Sequence, residues 1–159
     1  MEPQIRLANN SDAPFIADCN IRMAFETEQR RLDPTTVAAG VGALLNDVNK
    51  GAYFIAQADG KPVGQMLITY EWSDWRNGWF WWVQSVYVRE ESRRAGVFRA
   101  LFHHIQTEAE ADPNVIGLRL YVERENGRAK TTYRALGMVD TPYEILEIYP
   151  LTRRTDDIG

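Results

Sequence analysis

The sequence predicts an α+β fold around a mixed sheet. Three observations carry that reading: the succession of hydrophobic periodicities, an Asp-Gly turn between two apolar runs, and an arginine-rich junction between a strand and a helix. The periodicities run β-α-α-β-β-β-α-β-α-β. A hairpin region thus adjoins helical crossovers, which gives a sheet with antiparallel and parallel pairs.

Each element has a local reason. Residues 4–8 make a short strand with Ile5 and Leu7 on one side. Ser11 reads as an N-cap, with Pro14 early in the first helix, and Phe15, Ile16, Cys19 and Met23 recur at helical spacing. Asp33-Pro34 opens a second helix whose apolar stripe is Val37, Val41, Leu44, Leu45 and Val48, and Gly51 ends it. Residues 52–58 and 62–71 are strands joined at Asp59-Gly60, a strong hairpin signal. A loop over 72–78 leads into a long apolar strand, 79–88. The helix that follows shows Val97, Phe98, Leu101, Phe102, Ile105 and Ala109 on one face. Residues 117–123 alternate Leu118, Leu120 and Val122 against Arg119, Tyr121 and Glu123. A short helix over 127–136 ends at Gly137, a C-cap. Residues 143–149 are read as the last strand, and 152–159, with Arg153 and Arg154, as a polar tail.

At 159 residues the chain fits one domain, expected to span 1–159. A formal charge of −4 argues against nucleic acid as the main partner. No run approaches the roughly 18 apolar residues of a membrane span, and the first residues lack the apolar core of a signal peptide. Cys19 is the lone cysteine, so neither an internal disulfide nor a cysteine-based zinc site is expected. His103 and His104 are adjacent on one helix and cannot both face one metal. A cytoplasmic protein without a bound metal or membrane contact is the expectation.

The junction over residues 84–101 is the most informative stretch. An apolar strand gives way to a short charged turn, then to a helix with Gly96 at its start. A helix start exposes backbone N–H groups at the positive end of the dipole, which suits a phosphate or pyrophosphate. Arg93, Arg94 and Arg99 crowd the same place although the chain is acidic. No Gly-Lys-Ser/Thr follows, which disfavours a P-loop.

Arg93-Arg94-Ala95-Gly96-Val97-Phe98 resembles the signature turn of the GNAT N-acetyltransferases, Arg/Gln-x-x-Gly-x-Gly/Ala, with Phe98 in place of the final small residue. Asn126, Ala129, Tyr133 and Gly137 match a second motif of that family. The resemblance spans roughly residues 5–150. It implies a three-layer fold with a mixed, mostly antiparallel sheet of six to seven strands and about four helices. It also implies acetyl-CoA as cosubstrate. The N–H groups of Arg94, Ala95, Gly96, Val97, Phe98 and Arg99 would surround the pyrophosphate, Arg93 would belong to the same cofactor-binding turn, and Val86 and Val88 would pair with the pantetheine arm as if it were a strand. Asn126 would cap its helix or bond the pantetheine. Tyr133, with a phenol pKa of about 10 against about 8.5 for a thiol, would be the acid for the CoA thiolate.

The base is not assigned by motif, because residues 79–88 hold no carboxylate where the histone acetyltransferase branch carries a glutamate; the equivalent place is about Trp82. Glu28 and Glu71 are the first candidates, acting through water. Ser85 and Tyr87 can pass a proton without holding it. On the acceptor side the sequence offers Glu26, Trp72, Asp74 and Trp75. Aromatic faces beside carboxylates favour a cationic amine. The expectation is acetyl transfer to a primary amine of a small molecule. A protein or peptide amine is the second acceptor class, and a non-catalytic acyl-CoA sensor is the rival from another class. Surplus aromatics and a late strand are compatible with a homodimer.

Overall fold

A computed structural model describes residues 2–152. Backbone proximity divides the chain into two compact units, Met1–Tyr121 and Val122–Gly159, taken in turn. The tail residues 153–159, with Arg153 and Arg154, lie outside the described residues.

The first unit is built on a five-stranded sheet in sequential order, β1 (Gln4–Leu7), β2 (Ala52–Ala58), β3 (Lys61–Ser73), β4 (Gly78–Val88) and β5 (Val115–Leu120). The first four strands pair antiparallel, and β5 runs parallel to β4 after a helical crossover. Helices α1 (Ala13–Glu28), α2 (Pro34–Leu45) and α3 (Val97–Ala111) complete it. The expectation of six to seven strands is corrected: five form among the described residues, and the stretch read as a last strand, 143–149, joins no ladder.

Local chemistry explains most boundaries. Asp33 caps α2 by accepting from Thr36 N at 2.9 Å, with Pro34 just inside. Asp59 and Gly60 both adopt positive φ, 51° and 73°, as the tight hairpin of β2 and β3 requires. The first cap differs from expectation. Asn9, not Ser11, opens the 3-10 turn Asn10–Asp12, and Asp12 returns its carboxylate to Asn9 N at 2.8 Å. Val48 is 82% exposed, because α2 stops at Leu45 and the stripe ends with it. The fifth strand lies at Val115–Leu120 rather than 117–123.

Apolar side chains bury on both faces of the sheet. Ile16 of α1 and Val41 of α2 pack with Tyr53 and Ile55 of β2, joined by partly buried Leu67 of β3. On the opposite face α3 packs against β2, β3 and β4. Its buried stripe is Val97, Leu101, Phe102, Ile105 and Ala109, and the Phe54 ring lies 5.5 Å from that of His104. Cys19 is fully buried, and desolvation pushes its thiol up to about 12. It behaves as a small hydrophobe.

The second unit contains α4 (Gly127–Ala135). Asn126 caps it, accepting from Ala129 N at 3.0 Å, and Gly137 follows its end with φ 97°. None of the described helices is long and apolar enough to cross a membrane.

Candidate functional site

The site begins with a defect in β4. Leu67 pairs with Ser85 but Ile68 pairs with Val83, so Gln84 is an extra residue, a β-bulge. The pairing of β4 with β5 covers only Trp79 to Val83. Past the bulge, the side of β4 away from β3 meets no strand among the described residues. Arg89 N donates to Val63 O at 2.9 Å, which makes that register pair a hydrogen-bonded one. Alternation then turns the backbone groups of Val86 and Val88 toward the open side. These are the two residues read from the sequence as the pantetheine edge.

The open edge runs into the turn that precedes α3. After the 3-10 turn Glu90–Ser92, Arg94 adopts φ 64° and Gly96 φ 77°. Gly96 is the N-cap of α3, and among the described residues no side chain caps the helix. The N–H groups of the first turn therefore point outward along the axis. A Cβ built on Gly96 meets no heavy atom within 4 Å, so this face of the turn is open. Arg94, Ala95 and Arg99 are exposed. Phe98 is half-buried with its ring 6.2 Å from that of Phe102, so the residue that departs from the signature turns toward the helix's apolar face.

Arg93 turns its side chain back onto the protein. Its Nε donates to Val88 O at 3.0 Å and its Nη2 to Glu26 Oε2 at 2.7 Å. Tyr87 Oη donates to the other Glu26 oxygen, also at 2.7 Å. Glu26 thus ties the end of α1 to the end of β4 and to the turn beyond it. Tyr87 first, then Arg93, hold the Glu26 carboxyl below its ordinary value. Burial, with help from Glu26, pushes the Tyr87 phenol up to about 12. The Arg93 side chain is a latch on this turn, while the turn's backbone faces outward.

The structure separates several residues that the sequence offered together. Strand alternation places Glu71 on the α1 face with Gln65 and Leu67. It places Trp72 on the α3 face, where the ring stacks edge-on with Trp79 at 5.0 Å. Trp72 also lies within β3 rather than in a loop, because the hairpin pairs Trp72 with Trp79 and Ser73 with Gly78. Only residues 74–77 form the turn, with Trp75 87% exposed and Asp74 accepting from Trp75 N at 2.9 Å. Both Glu71 oxygens are engaged, by Trp82 Nε1 at 3.3 Å and Arg119 Nη1 at 2.8 Å. Glu71 sits six residues along β3 from Gln65, the partner of Tyr87, which is about 20 Å. Glu71 and Glu26 therefore belong to different regions. Glu28 is exposed at the last position of α1.

One cluster was missed. Gln65, fully buried, donates to Asn20 Oδ1 at 3.2 Å and Ser85 Oγ at 3.5 Å, and Asn20 Nδ2 donates to Tyr53 Oη at 3.3 Å. Gln65 Oε1 is buried with no hydrogen-bond partner among the described residues. A glutamine at an inward position of an apolar strand was the available signal. In the second unit, Tyr133 is half-buried, and burial holds its phenol above the ordinary value.

An open strand edge that leads into an uncapped helix start defines a protein able to hold an extended, phosphate-bearing ligand along its sheet. The sequence matches the acetyltransferase (GNAT) family over residues 17–138, and the chain belongs to that family. It is an acyltransferase of the acetyl-CoA-dependent class. The solved structure of a possible acetyltransferase from Clostridium difficile 630 is 45% identical, with a TM-score of 0.90 over 96% of this chain and 100% of that one. The aminoglycoside N-acetyltransferase AAC(6')-Iy, solved with CoA, shares the fold at 17% identity, with a TM-score of 0.75 over 94% of this chain and 95% of that one. The ribosomal-protein-alanine N-acetyltransferase of Brucella melitensis biovar Abortus 2308 does so at 19% identity and a TM-score of 0.72, over 92% and 98%. No curated protein sequence matches the chain.

Proposed function

We propose that this protein moves the acetyl group of acetyl-CoA to a primary amine of a small molecule, by direct attack of the amine on the thioester. The observation that carries the reading is the continuous path from the outward backbone groups of Val86 and the Val88 N–H, past the Val88 carbonyl held by Arg93, to the outward amides beginning at Gly96. Pantetheine pairs along the first part and the pyrophosphate rests on the second. The bulge at Gln84 then lies beside the thioester. Backbone groups leave the ladder there, and an N–H in it donates to the carbonyl oxygen as negative charge develops.

Tyr133 is the acid. Its raised phenol value keeps it protonated at neutral pH, ready to bond or protonate the departing thiolate. Asn126 presets the start of its helix. For the amine proton the carboxylates are unequal. Glu26 and Glu71 already hold partners on both oxygens, so a water relay ending at exposed Glu28 or in solvent is the route retained. The acceptor approaches from the α1 face, the side on which Ser85 and Tyr87 stand. The chain's acidity, −4 overall, supports a cationic acceptor. Among the fold neighbours, one is named for aminoglycosides and one for a ribosomal protein, so the fold alone does not select the acceptor.

The test is thiol release from acetyl-CoA against an amine panel, read with a thiol reagent that buried Cys19 does not contaminate. Tyr133→Phe lowers kcat about 100-fold or more, with KM for acetyl-CoA within about threefold. An unchanged kcat removes the acid role. Tight acetyl-CoA binding with no transfer to any amine replaces the enzyme reading with the sensor.

A further inference from the structure

The bulge in β4 carries a side-chain clasp that the acetyl-transfer reading has not yet used. Gln84 is the extra residue, and a bulge leaves such a residue outside the ladder, with less to hold it than its neighbours have. Its side chain supplies another hold: Gln84 Nε2 donates to Thr69 Oγ1 at 2.9 Å. The register breaks between Leu67 and Ile68, and Thr69 stands just past the break, paired with Trp82. The bond therefore crosses from β4 to β3 at the break itself and ties the extra residue to the regular part of the ladder.

Thr69 is itself fixed. Two branches on Cβ leave a threonine few choices of χ1, and here the methyl branch is seated against the turn into β2. A Cβ on Gly51 would stand 3.3 Å from Thr69 Cγ2. With the methyl placed there, the hydroxyl is left for Gln84. A second hold on the same stretch is weaker. Gln65 Nε2 reaches Ser85 Oγ at 3.5 Å, longer than the usual range of about 2.7–3.2 Å. The clasp of Gln84 on Thr69 is the firmer of the two.

We propose that Gln84 and Thr69 are positioning residues for acetyl transfer: their hydrogen bond fixes the bulge backbone whose N–H meets the thioester oxygen as charge develops. The inference rests on the acetyl-transfer reading. A donor to an oxyanion is effective only when it is already aimed at the place where the charge appears. Along the rest of β4 the ladder provides that fixity; at the bulge a side chain has to. A misplacement of about 1 Å costs up to about 100-fold in rate, so a slackened bulge that keeps its N–H loses about tenfold. The pantetheine edge and the Gly96 turn lie outside the clasp, which confines the effect to kcat.

The experiment uses the intact protein, acetyl-CoA and the best amine of the panel, and reads kcat, KM for acetyl-CoA and the calorimetric Kd for acetyl-CoA. Thr69→Val keeps the shape and removes the hydroxyl; Gln84→Met keeps the length and removes the amide. Each lowers kcat about tenfold, with KM and Kd for acetyl-CoA within about twofold. The double variant is no slower than either single one, because the same bond is lost in all three. Thr69→Ser, which keeps the hydroxyl, recovers most of the wild-type kcat, and every variant retains the wild-type circular dichroism. An unchanged kcat in either single variant, losses that multiply in the double variant, or Thr69→Ser as slow as Thr69→Val overturns the inference and leaves acetyl transfer standing. Wild-type protein that binds acetyl-CoA but transfers to no amine ends the acetyl-transfer reading, and the inference with it.

Discussion

Replacing Glu26 with glutamine tests whether α1 is latched to the turn that leads into α3. The side chain keeps its shape and loses its charge. Tyr87 is 6% exposed, so its hydroxyl loses a charge-assisted bond in a dry setting and retains a neutral one, a difference of about 1 kcal/mol. The Arg93 pair is about 40% exposed on both sides, which limits it to under about 1 kcal/mol after solvent screening. The expected loss is therefore about 1.5 kcal/mol, or about 3–6 °C in Tm for a chain of this size. The pH dependence has a fixed sign. Because the folded Glu26 carboxyl lies below its ordinary 4.5, the latch contributes fully above that value and fades as pH falls through the lower folded one. Tyr87 works from the other end. With its phenol raised to about 12, its share persists below about pH 10 and is lost on going up through 12. Urea unfolding at pH 7 and again near pH 3 reads the difference, and a double-mutant cycle with Tyr87→Phe apportions it. Since Arg93 is freed at the turn, KM for acetyl-CoA rises several-fold with kcat nearly unchanged. A loss below about 0.5 kcal/mol at pH 7, or the same loss at both pH values, would refute the reasoning.

Two further outcomes follow from single residues. Gly96→Ala meets no neighbour within 4 Å but must hold φ 77°. It costs about 1 kcal/mol in stability, while calorimetry shows acetyl-CoA binding at least about tenfold weaker; unchanged affinity places the pyrophosphate elsewhere. Asp12 is 4% exposed and accepts from both Arg6 Nη atoms, at 2.7 and 2.8 Å, as well as from Asn9 N. Asp12→Asn destabilises by about 2 kcal/mol in urea at neutral pH. Arg6 holds the Asp12 carboxyl below its ordinary value, so the gap closes as pH falls through that lowered value; a gap that widens in acid contradicts the ion pair.

Where the argument from residues succeeded, the controlling interaction spans a few positions. Asp59-Gly60, Asp33-Pro34, Asn126 and Gly96 all stand where their backbone preferences place them, because steric restriction and capping act within one turn of chain. The strand that flanks the Gly96 turn and the helix behind it were legible for the same reason. The misplaced features are longer in range. Trp72 was read as loop because tryptophan and serine give no hairpin signal, and only its ladder with Trp79 extends β3 past it.

The chain's own order of residues was enough to determine the α+β class, the anion-ready helix start and the family. Which groups meet was decided by folding alone. Tyr87 and Arg93 reach Glu26 across 61 and 67 positions, and Glu71 is taken by Arg119 across 48. Periodicity shows that a side chain turns inward, but its partner depends on register between strands and on where a helix lies over them. That is why the motif arginine could be named from its neighbours in sequence, while its use as a latch could not.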